Sequence, residues 1–201
     1  MIILNRIILL IIAILAGVQI VSGIENYAAI SITYFTYSYG IFLVSSLLMM
    51  LMGVDIIEHD VAALIATTLP LGFSLGLIAE YFSAYHIVYL VLLVILFICL
   101  VILRLKQRSK LALIFQILLH GLSGMVLFTI PIILVIGDVE NVVVLWISCG
   151  TGFIALGGMS LALLKSGKPV LTKDQIYTIF PGVLLLAVLT FAIGIGKGLD
   201  S

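Results

Sequence analysis

Seven apolar runs follow one another almost end to end in this chain, joined by connections too short to hold a domain. A helix needs about 20 largely apolar residues to cross a bilayer. Runs of that kind fall at 4–23, 28–53, 61–79, 86–103, 111–136, 142–164 and 175–195. A lipid-exposed backbone must satisfy its own hydrogen bonds, which leaves helices or a closed barrel. The runs are continuous rather than alternating, and that excludes the barrel. The sequence therefore predicts an all-α, polytopic membrane helical bundle, with residues 1–201 as one domain of seven transmembrane helices. Six spans is the alternative, if 61–79 and 86–103 form a re-entrant pair.

Composition removes the soluble alternatives. Of 201 residues, 64% are hydrophobic and 9% charged, so too little polar surface exists to cover a soluble domain. Nine Lys/Arg balance nine Asp/Glu. That balance gives no pointer to nucleic acid, and none is expected as a partner. The stretch 1–23 has signal-peptide features, with Arg6 ahead of an apolar core and the small residues Ala13, Ala16 and Gly17. It is read as the first membrane helix. Cys99 and Cys149 lie inside apolar runs at different depths, so no disulfide between them is expected.

The charges orient the chain. Arg104, Lys106, Arg108 and Lys110 lie between spans four and five, Lys165, Lys168 and Lys173 between six and seven, and Arg6 precedes span one. With the N-terminus cytoplasmic, all eight fall inside and only Lys197 outside, as the positive-inside rule demands. The C-terminus is then external. Glu25, Glu80, Asp138 and Glu140 fall outside, at the level of Tyr27, Tyr81, Tyr85, Tyr89 and Trp146, an aromatic belt. Spans three and seven share a signature, Thr67-Thr-Leu-Pro70-Leu-Gly72 and Thr178-Ile-Phe-Pro181-Gly182. A parallel three-plus-one-plus-three duplication has that parity. Two independent proline kinks, with Thr rebonding the freed carbonyls, are the plainer account.

None of the nine acidic residues lies near a span centre, which counts against a carboxylate-coupled transporter. His120 is the titratable side chain set deepest, about nine residues into span five, or roughly 14 Å. Gln116, His120 and Ser123 share one face, with Gly124 beside them. Such a stripe faces protein or water: either it holds a cofactor or lines a pathway, or it is an interhelical packing patch. Gly121-Leu-Ser123-Gly124 resembles the G-x-S-G of rhomboid intramembrane proteases, whose serine is the nucleophile and whose histidine base sits on a later helix. This chain has no histidine after His120, and a serine without a base is a poor nucleophile.

A bis-histidine haem site needs two histidines at matching depth on neighbouring helices. His86, at the outer end of span four, and His120 do not match. Glu80, Tyr85 and His86, opposite the polar outer half of span two (Thr33, Tyr34, Thr36, Tyr37, Ser38 and Tyr39), outline a second pocket candidate; the plain alternative is the aromatic belt. In the inner loop, Asp55, Glu58 and His59 are metal-ligand types at i, i+3 and i+4, on one face if helical. Set against that, Asp60 is a natural N-cap for span three. Span six carries Gly150, Gly152, Gly157 and Gly158, small residues that let helices touch.

Two functional classes follow. The first is a membrane-embedded subunit or scaffold without its own reaction, in contact with other membrane subunits or with itself, and able to help hold a lipophilic cofactor of unknown identity. The second is a stand-alone transporter or channel for a small solute, with a pathway near His120. A haem- or quinone-binding electron-transport subunit is a minor third. The cell membrane is the expected location.

Overall fold

The computed structural model describes residues 3–24, 26–106, 109–165 and 170–196. Glu25, Arg108, Lys168 and Lys197, which entered the charge count, lie outside these residues. Among the described residues the chain forms seven long helices and no strand. They are α1 (Ile3–Ser22), α2 (Ala29–Met52), α3 (Asp60–Tyr81), α4 (Ser83–Leu105), α5 (Ser109–Ile136), α6 (Leu145–Lys165) and α7 (Lys173–Ile195). Each is long and apolar enough to cross a membrane. Helices α3 and α4 are both of full length and meet at Phe82 alone, which sets aside the re-entrant pair.

Six of the helices close a ring in the order α1, α2, α3, α5, α6, α7, and α7 packs back on α1. Helix α4 stands outside, against α3 and α5. Its membrane-length window is 11% buried, against 61% for α3. The ring has two parallel seams, α3 beside α5 and α7 beside α1, so α1–α3 and α5–α7 form two similarly arranged triads joined by α4. That arrangement has the parity of the duplication considered above. The shared signature does different work in each copy, however. A Cβ on Gly72 would strike Ser38 and Tyr37 of α2, whereas Gly182 faces open space.

Between helices in lipid the driving force is packing rather than water exclusion, so close approach matters most. Gly150 supplies it between α6 and α7, because a side chain there would meet Thr190 and Phe191. Gly152 and Gly158 face no neighbour. The small-residue face of α6 is thus narrower than its sequence implies. The core is aromatic. The Phe73 ring of α3 stacks on Phe191 of α7 at 4.6 Å and 8°, across the ring of helices. Tyr39 meets Phe73 edge-on at 5.0 Å. Phe35, Tyr39, Phe73 and Phe191 are fully buried.

The prolines are accommodated differently from the sequence expectation. A proline at position i deprives the carbonyl at i−4 of its donor. The carbonyls concerned are Ala66 O for Pro70 and Tyr177 O for Pro181. The threonines do not serve them: Thr67 donates to Ala63 O and Thr178 to Asp174 O, each four residues back on its own helix. The Tyr177 carbonyl is instead bonded from α1, where the buried Asn5 Nδ2 donates to it at 3.4 Å.

Candidate functional site

Gln116, His120, Ser123, His86 and Glu80, singled out in the sequence, each have a hydrogen-bond partner in the structure. His120 Nδ1–H donates to Gln116 O of its own helix at 3.0 Å, which fixes the tautomer through that partner. Ser123 donates to Leu119 O at 2.7 Å. The Gln116 side chain leaves the stripe and accepts from Arg104 of α4, which also pairs with Asp60 of α3. His86 Nε2 lies 2.9 Å from the Tyr34 hydroxyl, tying α4 to α2. Glu80 accepts from the Ala28 amide at 3.0 Å, placing a carboxylate at the positive end of α2. The structure therefore joins His86 to Tyr34 and keeps Glu80, His86 and His120 apart, each on its own partners.

The inner connection departs from both expectations. Gly53, with φ of 104°, turns the chain out of α2 into a 3-10 helix, Val54–Glu58. Three residues per turn keep Asp55 and Glu58 in register. His59 is extended beyond them, so the single helical face through all three residues does not form. Glu58 is held from α7, accepting from the Tyr177 hydroxyl and pairing with Lys173 at 3.0 Å. Among the described residues no three of His, Cys, Asp and Glu gather as a metal site. Asp60 is not the cap: His59 occupies that position, no side chain caps α3, and Asp60 begins the helix with its carboxylate on Arg104.

Two cavities lie along the α1, α2 and α7 side of the bundle. The first is a polar crevice of about 670 Å³ at the end where α1 and α7 begin. Asn5 and Arg6 of α1, Asp55 of the 3-10 helix, and Asp174, Tyr177 and Thr178 of α7 supply its polar wall. Asp174, Tyr177 and Thr178 sit at i, i+3 and i+4 and so share one face of the first turns of α7. The second is an apolar cavity of about 90 Å³. It is roofed by Ile56 and Ile57 of the 3-10 helix and walled by Ile12, Met49, Leu69 and Phe180, with Ser46 beside them. Phe42, one of its lining residues, belongs to the aromatic core, 6.1 Å from Phe73 and 6.5 Å from Phe191 between ring centroids.

At the other end, Tyr81 donates to Glu140 at 2.7 Å and Tyr27 to Ile195 O at 2.9 Å, closing the last turn of α7. Burial pushes the ionisation of the Tyr27 phenol well up, and the Glu140 and Glu80 carboxylates push the same way. Tyr27 is therefore a neutral donor at any physiological pH.

Sequence reasoning passes over Asn5, Asp174 and Tyr177 and takes Thr178 only as part of a proline signature. Asn5 carried a usable signal: an amide inside an apolar run needs a partner on another helix. No protein-family model, no curated protein and no solved structure matches the chain.

Proposed function

We propose that the protein is a cell-membrane carrier that takes a small zwitterionic solute from the cytoplasm into the crevice between α1, the 3-10 helix and α7. The crevice is the observation that carries this reading. Its volume is in the range of small-molecule sites, and it presents a guanidinium, Arg6, together with two carboxylates, Asp55 and Asp174. A solute bearing both charges has a complement there. The apolar cavity behind the 3-10 helix and the Phe73–Phe191 stack then form the closed remainder of a route.

The charges at the two ends support one orientation. Arg6, Arg104, Lys106, Lys110 and Lys173 gather at the crevice end, while Glu80, Asp138 and Glu140 occupy the other, with no Lys or Arg there among the described residues. The positive-inside rule puts the crevice and the N-terminus in the cytoplasm and the C-terminus outside. An impermeant maleimide should label Val139→Cys in intact cells and Thr178→Cys only in inverted vesicles. For transport, proteoliposomes should take up a radiolabelled mixture of neutral amino acids faster than empty liposomes. Arg6→Gln and Asp174→Asn should abolish the excess. Uptake equal to that of empty liposomes would refute the carrier.

A second reading, the subunit of a larger membrane complex, is favoured by α4. Its outer face, including Ile87, Val91, Ile95 and Ile102, is exposed along the whole helix. A hetero-complex in native mass spectrometry would favour that reading over the carrier.

A further inference from the structure

The two cavities meet the same short piece of chain. Gly53, Val54 and Asp55 line the polar crevice, while Ile56 and Ile57 line the apolar cavity. The room behind those isoleucines comes from small side chains, Ser46 on α2 and Ala62 and Ala66 on α3. The 3-10 helix Val54–Glu58 therefore borders both spaces.

Its attachments are those of a piece that can move. A 3-10 helix has poorer hydrogen-bond geometry than an α-helix and persists only in short lengths. Among the described residues, its backbone bonds stay within its own turn and the adjoining helix ends. Ile56 N donates to Gly53 O at 3.3 Å, and His59 N to Ile56 O at 3.0 Å. At the α2 end, Gly53 holds φ of 104°, which glycine tolerates and other residues rarely adopt. At the α3 end, His59 is extended. Val54, next to Gly53, is buried, whereas Ile56 and Ile57 are only half-buried.

The hold on α7 is made by the Glu58 side chain. It accepts from the Tyr177 hydroxyl and pairs with Lys173 at 3.0 Å. Lys173 Nζ also lies over the Tyr177 ring, 5.3 Å from its centroid, so the three side chains form one cluster. The ion pair is open to solvent, with side-chain exposures of 52% for Lys173 and 41% for Glu58. Pairs so exposed are weak, so the segment is held lightly.

We propose that Val54–Glu58 is a lid on the apolar cavity, hinged at Gly53 and latched to α7 by Glu58, whose opening joins that cavity to the crevice. As the inner gate of a transport route the lid rests on the carrier reading, but its opening is measured without any solute. Lost opening with intact uptake would remove the lid alone, and absent uptake with intact opening would remove the carrier alone.

The test is the rate at which 2-aminoethyl methanethiosulfonate modifies single cysteines in the full chain in nanodiscs, with Cys99 and Cys149 replaced by Ala. Ser46→Cys reports the cavity, where the native hydroxyl only bonds Leu43 O of its own helix. Thr178→Cys reports the crevice, and Ser31→Cys, fully buried near the other end of α2, reports general loosening. Ser46→Cys should react many times more slowly than Thr178→Cys. Adding Glu58→Ala should speed it roughly three- to tenfold, the shift that one hydrogen bond of ordinary strength makes in a two-state equilibrium, and leave Ser31→Cys unchanged. Tyr177→Phe removes the latch from the α7 side and takes the place of Glu58→Ala if that variant does not fold. A Ser46→Cys rate unmoved by the latch variant would overturn the lid. So would equal acceleration of Ser31→Cys, or a parent Ser46→Cys already as fast as Thr178→Cys.

Discussion

Replacing Asn5 by Leu should destabilise the fold, and the loss should vanish when Pro181 is replaced by Ala. The argument rests on one acceptor. The Tyr177 carbonyl has no donor on its own helix because residue 181 is proline, and Asn5 Nδ2 reaches it from α1 at 3.4 Å. Hydrogen bonds between helices in lipid average about 0.6 kcal/mol and reach about 1.7. The length of this one puts it in the weaker half. Removing the donor also leaves a carbonyl unsatisfied, at about 1–3 kcal/mol if water cannot reach it, and the adjoining crevice lets some water in. Asn5→Leu should therefore cost about 1–2 kcal/mol. In Pro181→Ala the new amide donates to Tyr177 O along the helix, Asn5 becomes redundant, and its replacement should cost under about 0.5 kcal/mol. The assay is reversible unfolding in mixed micelles titrated with dodecyl sulfate, for the four proteins of the double-mutant cycle. The expected coupling is about 1 kcal/mol. Costs that add within about 0.3–0.5 kcal/mol would refute the idea that Asn5 serves the proline gap.

Other consequences are simpler to check. His120→Gln should leave stability and any transport intact, because among the described residues the imidazole bonds only its own helix backbone, and His120→Leu should cost no more than about 1 kcal/mol in the same titration. Gly150→Ala should lower the melting temperature, by an overpacking cost of about 1–3 kcal/mol, because the methyl meets Thr190 and Phe191. Gly152→Ala, in open space one turn-half away, should raise it through helix propensity by up to about 1 kcal/mol. Asp60→Ala should cost under about 1 kcal/mol, with the cost shrinking in high salt, since that carboxylate is 68% exposed where it pairs with Arg104.

The helices were legible because hydropathy measures what a spanning segment needs: apolar length. Each helix end observed lies within about three residues of the span read from the sequence, by the roughly 20-residue criterion. The same measure cannot tell a lipid-facing leucine from a core leucine, so the ring order and the outlying α4 were not visible in it. One trace existed, for α4 is the most apolar of the seven helices and the least buried. The polar residues were read as a helical stripe, Gln116, His120 and Ser123, because periodicity ties together residues on one helix. It says nothing of partners on other helices. Gln116 turned to Arg104 on the preceding helix, and His86 to Tyr34 on α2, through contacts between helices that periodicity along one helix does not encode. The acidic inner loop misled for a local reason: at three residues per turn rather than 3.6, its i+4 residue leaves the face.

Closing the ring through α1 and α7 makes the first helix depend on the last. Asn5 and the carbonyl it serves are separated by 172 positions. At a synthesis rate of about 5–20 residues per second, the amide waits roughly 10–30 s for its acceptor. Over that interval α1 has α2 as a neighbour but not α7, so its inward polar group must be tolerated by the bilayer, by water at the interface, or by an assembly factor. Chains that stop short of α7 should therefore be lost first through α1, although the missing sequence lies at the opposite terminus.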